Sequence, residues 1–365
     1  MTGSTGPQPP APALGVYVHI PFCASRCDYC AFATWADRAH LADAYLEALV
    51  RDIEGAVARG LPAASTVFVG GGTPSHVPPD GLARVLRAIP RTDDAEVTVE
   101  CNPEDVTPSL VEVLGTAGVN RLSLGVQSMV PHVLCALGRS HDPASVATAV
   151  AAARAAGITN LNLDLIYGAA GESLGDWRAT LDAAIDLGPA HVSAYALTVE
   201  AGTALAADPR RHPDDDDQAD KYALATERLA AAGFDWYEIS NWARPGHRCR
   251  HNLLYWSQGD YLGFGCAAHS HRQGRRWWNV RTPERYIQAI RSGTSPEAGA
   301  EQLDADGRRL EALQLSIRTA YGVPVDALDD DDALALDGLV VRRADRLVLT
   351  EQGRLLANEV AVRLR

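Results

Sequence analysis

The feature that most constrains the fold of this chain is an alternation, beginning at Gly15, between short apolar runs and longer runs of helical pattern. The short runs are rich in β-branched residues and are mostly bounded by Gly, Pro, Asn or Asp, which is typical of strands. They are Val16–Ile20, Thr66–Val69, Glu96–Glu100, Arg121–Gly125, Asn160–Ile166 and His191–Leu197. The stretches between them repeat apolar residues at spacings of three and four, which predicts helices near 39–59, 80–89, 107–118, 142–156 and 174–187. Six strand–helix units in series predict an α/β fold with a parallel sheet and are too few for a full (β/α)8 barrel, so we expect a partial (β/α)6 barrel over residues 15–235.

The segments outside this alternation differ from it in composition. Residues 1–14 consist mostly of Pro, Gly, Ser, Thr and Ala, which predicts a disordered lead-in. Residues 236–285 are rich in Trp, Tyr, His, Arg and Gly with weak periodicity, which indicates a functional loop region or lid rather than a core element. We expect the segment 236–299 to form a heme-binding or lid segment. Residues 300–365 contain a helical pattern, a hairpin pattern at Leu339–Arg342 and Arg346–Thr350, and a second helical pattern. We therefore expect a small C-terminal α+β domain of winged-helix-like outline that serves as a packing cap.

Composition excludes several classes of function. The formal net charge is −13, which argues against a surface that binds nucleic acid. No stretch approaches the roughly 18 apolar residues of a membrane-spanning helix, and no signal peptide is recognisable at the N-terminus. We therefore predict a cytoplasmic protein. Disulfides are rare in that compartment, so the seven cysteines indicate metal or redox chemistry.

Three of those cysteines lie close together directly after the first predicted strand. Cys23, Cys27 and Cys30 have the spacing C-x3-C-x2-C. Cysteine thiolates ligate iron–sulfur clusters, and three of them would leave the fourth iron of a cubane cluster open to another ligand. A loop that follows a strand of a parallel sheet lies at the carboxyl edge, where the active sites of such folds are found. The sequence therefore predicts a [4Fe–4S] site on this loop.

Two alternatives remain for the same residues. Zinc could bind the three cysteines together with His19, although His19 lies within a predicted strand. The cysteines could also be buried structural thiols, although three within eight residues is denser than core usage. The other cysteines are scattered and are mostly expected to be small core residues; they are Cys101, Cys135, Cys249 and Cys266.

The cysteine loop resembles the cluster motif of the radical-SAM superfamily. In that superfamily the open iron chelates S-adenosylmethionine, and one electron from the cluster cleaves it to a 5′-deoxyadenosyl radical. The resemblance implies that Tyr29 lies against the adenine. It also implies that the segment Gly70-Gly71-Gly72-Thr73, which alone would indicate only a tight turn, holds the methionine amino group.

Polar residues at or near the ends of later strands match the coproporphyrinogen dehydrogenase branch of the superfamily. Such residues point into one crevice in an α/β fold, although each taken singly could be a structural hydrogen-bonding group. An Asp within the apolar run Leu161–Ile166 requires a partner. The resemblance implies that they bind adenosylmethionine; they are Tyr17, Glu100, Gln127, Arg139 and Asp164.

Within this branch, the chain is most similar to the heme-chaperone group, HemW, over nearly all of residues 15–365. Phe32 occupies the position at which the dehydrogenases have a fourth cysteine. Only 22 residues precede Cys23, so we expect no counterpart of the long N-terminal extension of the dehydrogenases. The segment Arg250-His251-Asn252-Leu253-Leu254-Tyr255-Trp256 matches the H-N-x-x-Y-W motif tied to heme binding in the chaperones.

The chemistry of that segment suits heme. His251 is the expected axial ligand, and Cys249 is a less favoured one. Tyr255 and Trp256 offer flat apolar surface, and two arginines, Arg248 and Arg250, could meet the propionates. The alternative is that His251 only forms hydrogen bonds within the lid.

The resemblance implies a heme chaperone that uses a [4Fe–4S] cluster and S-adenosylmethionine, binds heme and passes it to acceptor hemoproteins such as respiratory ones. The resemblance is also compatible with peripheral membrane contact through the acceptor, with a homodimer and with cleavage of adenosylmethionine. Two rival functions remain: oxidative decarboxylation of coproporphyrinogen III to protoporphyrinogen IX, and another radical-SAM reaction on an unknown substrate.

Overall fold

The computed structural model of the protein describes residues 14–139 and 141–365. The predicted disordered lead-in at residues 1–14 lies outside the described residues except for Leu14, which is buried. Leu14 accepts hydrogen bonds at its carbonyl from the backbone and the hydroxyl of Ser65. Leu14 is therefore held against β2 immediately before the first strand.

The segment of residues 15–231 is built from alternating strands and helices. Its strands are β1 (Gly15–Ile20), β2 (Ala64–Gly71), β3 (Arg91–Cys101), β4 (Arg121–Gln127), β5 (Asn160–Tyr167) and β6 (His191–Ala196). Its helices are α1 (Ala42–Ala58), α2 (Pro79–Ala88), α3 (Pro108–Thr116), α4 (Pro131–Ala136), α5 (Ala144–Ala155), α6 (Leu174–Asp186) and α7 (Asp215–Ala231). Each predicted strand overlaps an observed one, and the prediction of an α/β fold with a partial barrel is confirmed.

These six strands are parallel and adjacent in the order in which they occur in the chain. Alternate residues of a strand point to opposite faces of a sheet. On β1, Val16, Val18 and Ile20 are fully buried in the hydrophobic core. Tyr17 and His19 are directed to the other, concave face. The concave face therefore carries the polar side chains of the strands, including Glu100 on β3.

The segment after α7 adds strands to both edges of this sheet. It contains β7 (Asp235–Glu238), β8 (Asn241–Ala243), α8 (Arg250–Trp256), β9 (Tyr261–Phe264), β10 (His269–Arg272), β11 (Arg275–Asn279), α9 (Pro283–Arg291) and β12 (Glu297–Gln302). The sheet then has twelve strands in the order β12-β11-β10-β9-β1-β2-β3-β4-β5-β6-β8-β7, with β9 parallel to β1. The expectation of a loop region within 236–299 is wrong, because short strands in this segment pair with the barrel. A role for 236–299 in heme binding stays a prediction, as do the proposed domain boundaries.

The C-terminal segment has its own small sheet and apolar cluster. Its elements are α10 (Ala305–Ser316), β13 (Val323–Pro324), α11 (Asp330–Ala335), β14 (Val340–Arg343), β15 (Arg346–Leu349), α12 (Glu351–Leu355) and α13 (Ala357–Ala361). The predicted hairpin is present as β14 and β15, and β13 pairs with the other side of β15. Ile317, Leu349 and Val360 are among the buried residues of a cluster separate from the barrel core. These elements form the predicted small α+β unit, and its winged-helix-like outline stays a prediction.

Within the described ranges, we find no helix that combines the length and the apolar character needed to cross a membrane.

Candidate functional site

The three cysteines lie on a loop fixed at both ends to the carboxyl edge of the barrel. The backbone N–H of Cys23 donates to Trp35 O over 3.2 Å, and that of Trp35 donates to Pro21 O over 2.8 Å, so the loop closes on itself. Cys23, Cys27 and Cys30 are partly exposed and none is in a disulfide. Burial raises the pKa of the Cys23 and Cys30 thiols. Because a metal binds thiolate rather than thiol, ligation at these positions would release protons.

The glycine segment packs directly beneath this loop. Gly72 N donates to Ile20 O over 2.7 Å and Thr73 N donates to Phe22 O over 2.8 Å. A Cβ atom at Gly72 would lie 2.7 Å from Phe22 O and 2.9 Å from Sγ of Cys23. A side chain at this position would therefore push against the cysteine loop, and the absence of one leaves the backbone open to a ligand.

Glu100 and Asp164 lie on the concave face near the carboxyl ends of their strands. Oε2 of Glu100 accepts a hydrogen bond of 3.2 Å from Gly71 N. Burial, and secondarily the charge of Asp164, raise the pKa of Glu100 to about 8. Burial also raises the pKa of Asp164. Glu100 and Asp164 thus lie in the same crevice, and both have a raised pKa. Such a crevice favours a cationic or hydroxyl-bearing ligand, because that ligand can donate hydrogen bonds to both carboxyl groups.

Sequence reasoning missed the residues that hold Asp164 in place. Its Oδ2 accepts from the Ser123 hydroxyl over 2.7 Å, and its Oδ1 accepts from Nδ2 of Asn162 over 2.8 Å. These partners satisfy the carboxyl group that the sequence singled out as costly to bury. They could have been found from strand alternation, since Ser123 and Asn162 share the concave face with Asp164.

Arg139 connects the cysteine loop with the ends of β3 and β4. Its Nη1 lies 3.6 Å from Sγ of Cys27, and its Nη2 donates to Oδ1 of Asn102 over 2.9 Å and to Gly125 O over 3.4 Å. A guanidinium in contact with the sulfur would offset the charge of a cluster bound there. Tyr29 lies on the same loop and packs against a small apolar cluster that includes Leu205.

Gln127, at the end of β4, adopts a left-handed backbone conformation with φ of 62°. The pairing of β4 with β5 shifts register between Gly125 and Gln127 at this point. Strained residues of this kind are found at ligand sites, where the surrounding structure holds them in place. The structure thus brings Gln127 to the same edge as Arg139 and the glycine segment.

The residues present fit the group that the family motif implies. Three thiols on one short loop, an arginine beside one of them and a glycine backbone without side chains beneath them match the donor set of a cysteine-ligated cluster. The zinc alternative is less well supported, because His19 is already engaged. Its Nδ1 lies 3.0 Å from the Tyr17 hydroxyl and its Nε2 lies 2.9 Å from Ala33 O.

His251 does not lie at the carboxyl edge with the cysteines. Its side chain has no exposed surface, and its ring stacks on Phe68 with centroids 5.4 Å apart. Its Nδ1 lies 2.9 Å from the Thr66 hydroxyl and its Nε2 lies 2.8 Å from the Tyr255 hydroxyl. Burial, and secondarily the charge of Arg121, lower the pKa of His251 to about 3. In this conformation both nitrogens of a neutral imidazole are used, so His251 would have to leave its position to ligate iron.

The neighbours of His251 are similarly engaged. Cys249 is buried, its thiol lies 3.5 Å from Oε1 of Glu96, and burial raises its pKa to about 12, which disfavours the thiolate that iron would require. Arg248 donates to the Tyr321 hydroxyl over 3.0 Å, and Arg250 donates to Asp94 O over 2.7 Å. These contacts anchor the segment to the barrel and to the C-terminal part of the chain.

A cavity of about 610 Å³ lies on the concave face, between the cysteine loop and β9–β11. This volume is within the range of about 300–1,000 Å³ that small-molecule and cofactor pockets span. Its wall includes Tyr17, Phe32, Tyr255, Tyr261, His269 and Arg281. Phe32 is 69% exposed, so this wall of the cavity carries an accessible aromatic ring.

Comparisons with known proteins agree with this geometry. A model of the Radical SAM superfamily matches residues 17–184. The coproporphyrinogen III oxidase HemN from Escherichia coli, a radical SAM enzyme, superimposes with a TM-score of 0.84 and 24% identity, covering 98% of this chain and 91% of HemN. At that identity the likeness establishes the fold alone.

Relatives of higher identity extend over the whole chain. The protein of Mycobacterium tuberculosis named heme chaperone HemW is 46% identical over 97% of this chain and 95% of the relative. The heme chaperone HemW of Escherichia coli is 35% identical over 96% of this chain and 97% of the relative.

The fold, the cysteine loop and the superfamily match define the class: residues 17–184 of this chain form a Radical SAM domain. Within that class, the chain belongs to the HemW family. The individual ligand roles of the residues described above stay predictions.

Proposed function

We propose that this protein is a cytoplasmic heme chaperone, which binds heme and transfers it to acceptor hemoproteins. The observation that carries the proposal is the similarity to proteins named heme chaperone HemW, which reaches 46% identity over 97% of the chain. A match of that extent includes the cysteine loop, the segment 250–256 and the C-terminal elements rather than the barrel alone. The acceptors would be hemoproteins such as respiratory ones, reached at the membrane surface where they are membrane-bound.

The proposed resident cofactors are a [4Fe–4S] cluster, S-adenosylmethionine and heme. Cys23, Cys27 and Cys30 would hold the cluster, which when bound supplies an electron to adenosylmethionine. Arg139 would offset the negative charge of the thiolates, because its guanidinium lies against the sulfur of Cys27.

The residues proposed to hold adenosylmethionine surround the cysteine loop on the concave face. The glycine segment offers backbone at close range, and the two carboxyl groups on β3 and β5 offer acceptors to its amino and hydroxyl groups. The proposed set is Tyr17, Tyr29, Gly71, Gly72, Thr73, Glu100, Gln127, Arg139 and Asp164.

Iron analysis after anaerobic reconstitution tests the cluster. We expect about four irons per chain in the wild type and a loss of most of that iron in Cys23→Ala, Cys27→Ala and Cys30→Ala. Cys135→Ala is the matched control, because Cys135 is the exposed cysteine outside the loop, and it should retain the wild-type content. Zinc as the sole bound metal would refute the cluster.

A transfer assay tests the carrier function. The reconstituted protein, loaded with hemin, is mixed with an apo-hemoprotein, and the acceptor's Soret band is followed after rapid separation. Transfer faster than from free hemin, in the absence of porphyrin turnover, supports a chaperone. An anaerobic assay with coproporphyrinogen III, reductant and adenosylmethionine provides the opposing test, since conversion to protoporphyrinogen IX would favour the dehydrogenase reaction.

A further inference from the structure

A continuous chain of buried hydrogen bonds crosses the interior of the barrel from Asp164 towards the start of α8. Nδ2 of Asn162 donates to Oδ1 of Asp164 over 2.8 Å. Nδ1 of His191 lies 2.6 Å from Oδ1 of Asn162, and its Nε2 lies 2.7 Å from the Tyr237 hydroxyl. Asn162 is 2% exposed, and His191 and Tyr237 have no exposed surface, so water does not compete for these bonds.

Three strands bring these side chains together. Asn162 and Asp164 lie two residues apart on β5 and so share its concave face. Asn162 is paired with His191 in the parallel register of β5 and β6. Tyr237 on β7 reaches the same histidine from the edge of the sheet, with ring centroids 5.5 Å apart. The chain of hydrogen bonds is therefore a product of the sheet and not of one local motif.

The hydrogen bonds of this chain all have the same direction. The amide of Asn162 turns its NH2 end to the carboxyl group of Asp164, so its carbonyl end accepts from Nδ1 of His191. Burial lowers the pKa of His191 well below its ordinary value, which keeps the ring neutral. A neutral imidazole that donates from Nδ1 has its lone pair on Nε2, so the Tyr237 hydroxyl donates to Nε2. Every donor therefore points towards Asp164.

The other end of the chain lies at the residues that lead into α8. The guanidinium carbon of Arg248 lies 5.9 Å from the centroid of the Tyr237 ring. Cys249 is the N-cap residue of α8. Burial raises the pKa of Tyr237 well above its ordinary value, and a hydrogen bond from the backbone of Cys249 works against that rise. Tyr237 therefore contacts both the histidine of the chain and the start of the helix that carries His251.

We propose that His191 and Tyr237 are positioning residues that couple the occupancy of the adenosylmethionine pocket at Asp164 to how firmly α8 is held against the barrel. The inference rests on the proposed binding of adenosylmethionine and deepens it. A ligand hydroxyl that donates to Asp164 shares the charge of the carboxyl group with Asn162 and weakens the bond from Asn162. Because hydrogen bonds in a chain polarise one another, the weakening extends to Tyr237 and loosens its hold on the start of α8.

Hydrogen exchange of the anaerobically reconstituted protein, with and without saturating S-adenosylmethionine, tests the coupling. We expect adenosylmethionine to speed the exchange of the backbone amides of residues 249–256 by at least about fivefold in the wild type. Tyr237→Phe removes only the hydroxyl, so it should bind iron and adenosylmethionine as the wild type does. Its amides at 249–256 should exchange without the ligand as fast as those of the wild type do with it, and should not respond further.

Tyr286→Phe is the matched control for that variant. Tyr286 has no exposed surface, and its hydroxyl donates to Asp52 over 2.6 Å, outside the chain of hydrogen bonds. The control thus also loses one hydrogen bond of a buried tyrosine, and it should keep the wild-type response to adenosylmethionine.

Two readouts report on His191 itself. The ¹⁵N spectrum of the histidine rings, with the signal of His191 assigned by its loss in His191→Gln, should show the Nδ1–H tautomer in the wild type. His191→Gln keeps one donor and one acceptor in place of the two ring nitrogens, so it should retain part of the exchange response. His191→Leu has neither and should lose the response. A residue that only fills space would not distinguish these two variants.

The outcomes separate the coupling from the proposed function. A wild-type response in Tyr237→Phe would overturn the coupling while leaving the cofactor assignment intact, and so would adenosylmethionine binding to the wild type with unchanged exchange at 249–256. The Nε2–H tautomer at His191 would reverse the direction of the chain and would overturn the coupling as well. Absence of adenosylmethionine binding by the reconstituted wild type would overturn the cofactor assignment, and the coupling with it.

Discussion

The Thr66 hydroxyl lies 2.9 Å from Nδ1 of His251, at a point on β2 five residues before Gly71. His251 is therefore held deep on the concave face, while the cysteine loop lies at the carboxyl edge of the same sheet. The other ring nitrogen is satisfied by Tyr255, so the imidazole is part of a closed hydrogen-bonded unit.

Thr66→Val should destabilise the protein by roughly 1–3 kcal/mol, because it keeps the volume of Thr66 but leaves a buried ring nitrogen without its partner. Urea unfolding measures the change. Thr148→Val, on an exposed position of α5, is the matched control and should change stability by less than about 0.5 kcal/mol. Because His251 has to leave this pocket to ligate iron, Thr66→Val should also strengthen hemin binding by removing one of the two hydrogen bonds that hold the imidazole.

Glu96 fixes the start of α8, the helix that carries His251. Its Oε1 accepts from His251 N over 3.1 Å and its Oε2 accepts from Arg250 N over 3.0 Å. Glu96→Gln replaces one acceptor with an amide donor that faces another donor, and removes a negative charge from a helix N-terminus. We expect faster hydrogen exchange at residues 250–256 and a loss of stability of roughly 1–3 kcal/mol.

The control for that change is Glu112→Gln, on the exposed side of α3. It should leave exchange at 250–256 as in the wild type. Unchanged protection of α8 in Glu96→Gln would mean that packing alone holds the helix, with no contribution from the carboxylate.

The barrel was predictable from the sequence because its signals are local. Each of β1–β6 is an apolar run that ends at turn residues, and the helices between them have a continuous apolar face. The strands β7–β12 could not be predicted in the same way. They are short, several of them contain Trp, His or Arg, and they are strands because they pair with the edges of a sheet formed elsewhere in the chain.

The residues of the candidate site also fall into those that local sequence patterns predict and those whose placement depends on tertiary structure. The cysteine loop, the glycine segment and the polar strand ends are each contiguous motifs at predictable places on a parallel sheet. The burial of His251 depends on where α8 docks against β2 and β3, which no local pattern specifies. The exposure of His269 depends on the pairing of β10 with β11, which the sequence did not reveal.

Gly72→Ala should reduce the iron bound after reconstitution while leaving the fold intact. The added methyl would lie 2.7 Å from Phe22 O and 2.9 Å from Sγ of Cys23, and both belong to the cysteine loop. Because the loop must shift to relieve these contacts, we expect less than about half of the wild-type iron and sulfide per chain, since cluster binding depends on the thiolate positions. Gly115→Ala is the control: it lies in α3 with open space around it, and it should bind iron as the wild type does. Full iron content in Gly72→Ala would show that the loop adapts freely.

Glu100 should make the stability of the protein depend on pH. Burial, with a contribution from Asp164, raises its pKa to about 8 from an ordinary value of 4.5. Below pH 4.5 the carboxyl group is protonated in both the folded and the unfolded chain, so its contribution to stability is fully present. Between pH 4.5 and about 8 the unfolded chain releases the proton that the folded chain keeps, so the free energy of unfolding falls as pH rises, and the loss is complete above about pH 8.

The side-chain amide of Glu100→Gln does not titrate. The variant should therefore lack the part of the pH dependence of the unfolding free energy that Glu100 causes. The free energy of unfolding of the variant minus that of the wild type should therefore increase by roughly 1–3 kcal/mol as the pH is raised from 5 to 8.5. Urea unfolding at constant ionic strength measures this difference. Glu54→Gln, on an exposed position of α1, should follow the wild-type pH dependence. A wild-type slope in Glu100→Gln would mean that Glu100 is already ionised at neutral pH, in which case the crevice would hold a carboxylate rather than a neutral acid before adenosylmethionine binds.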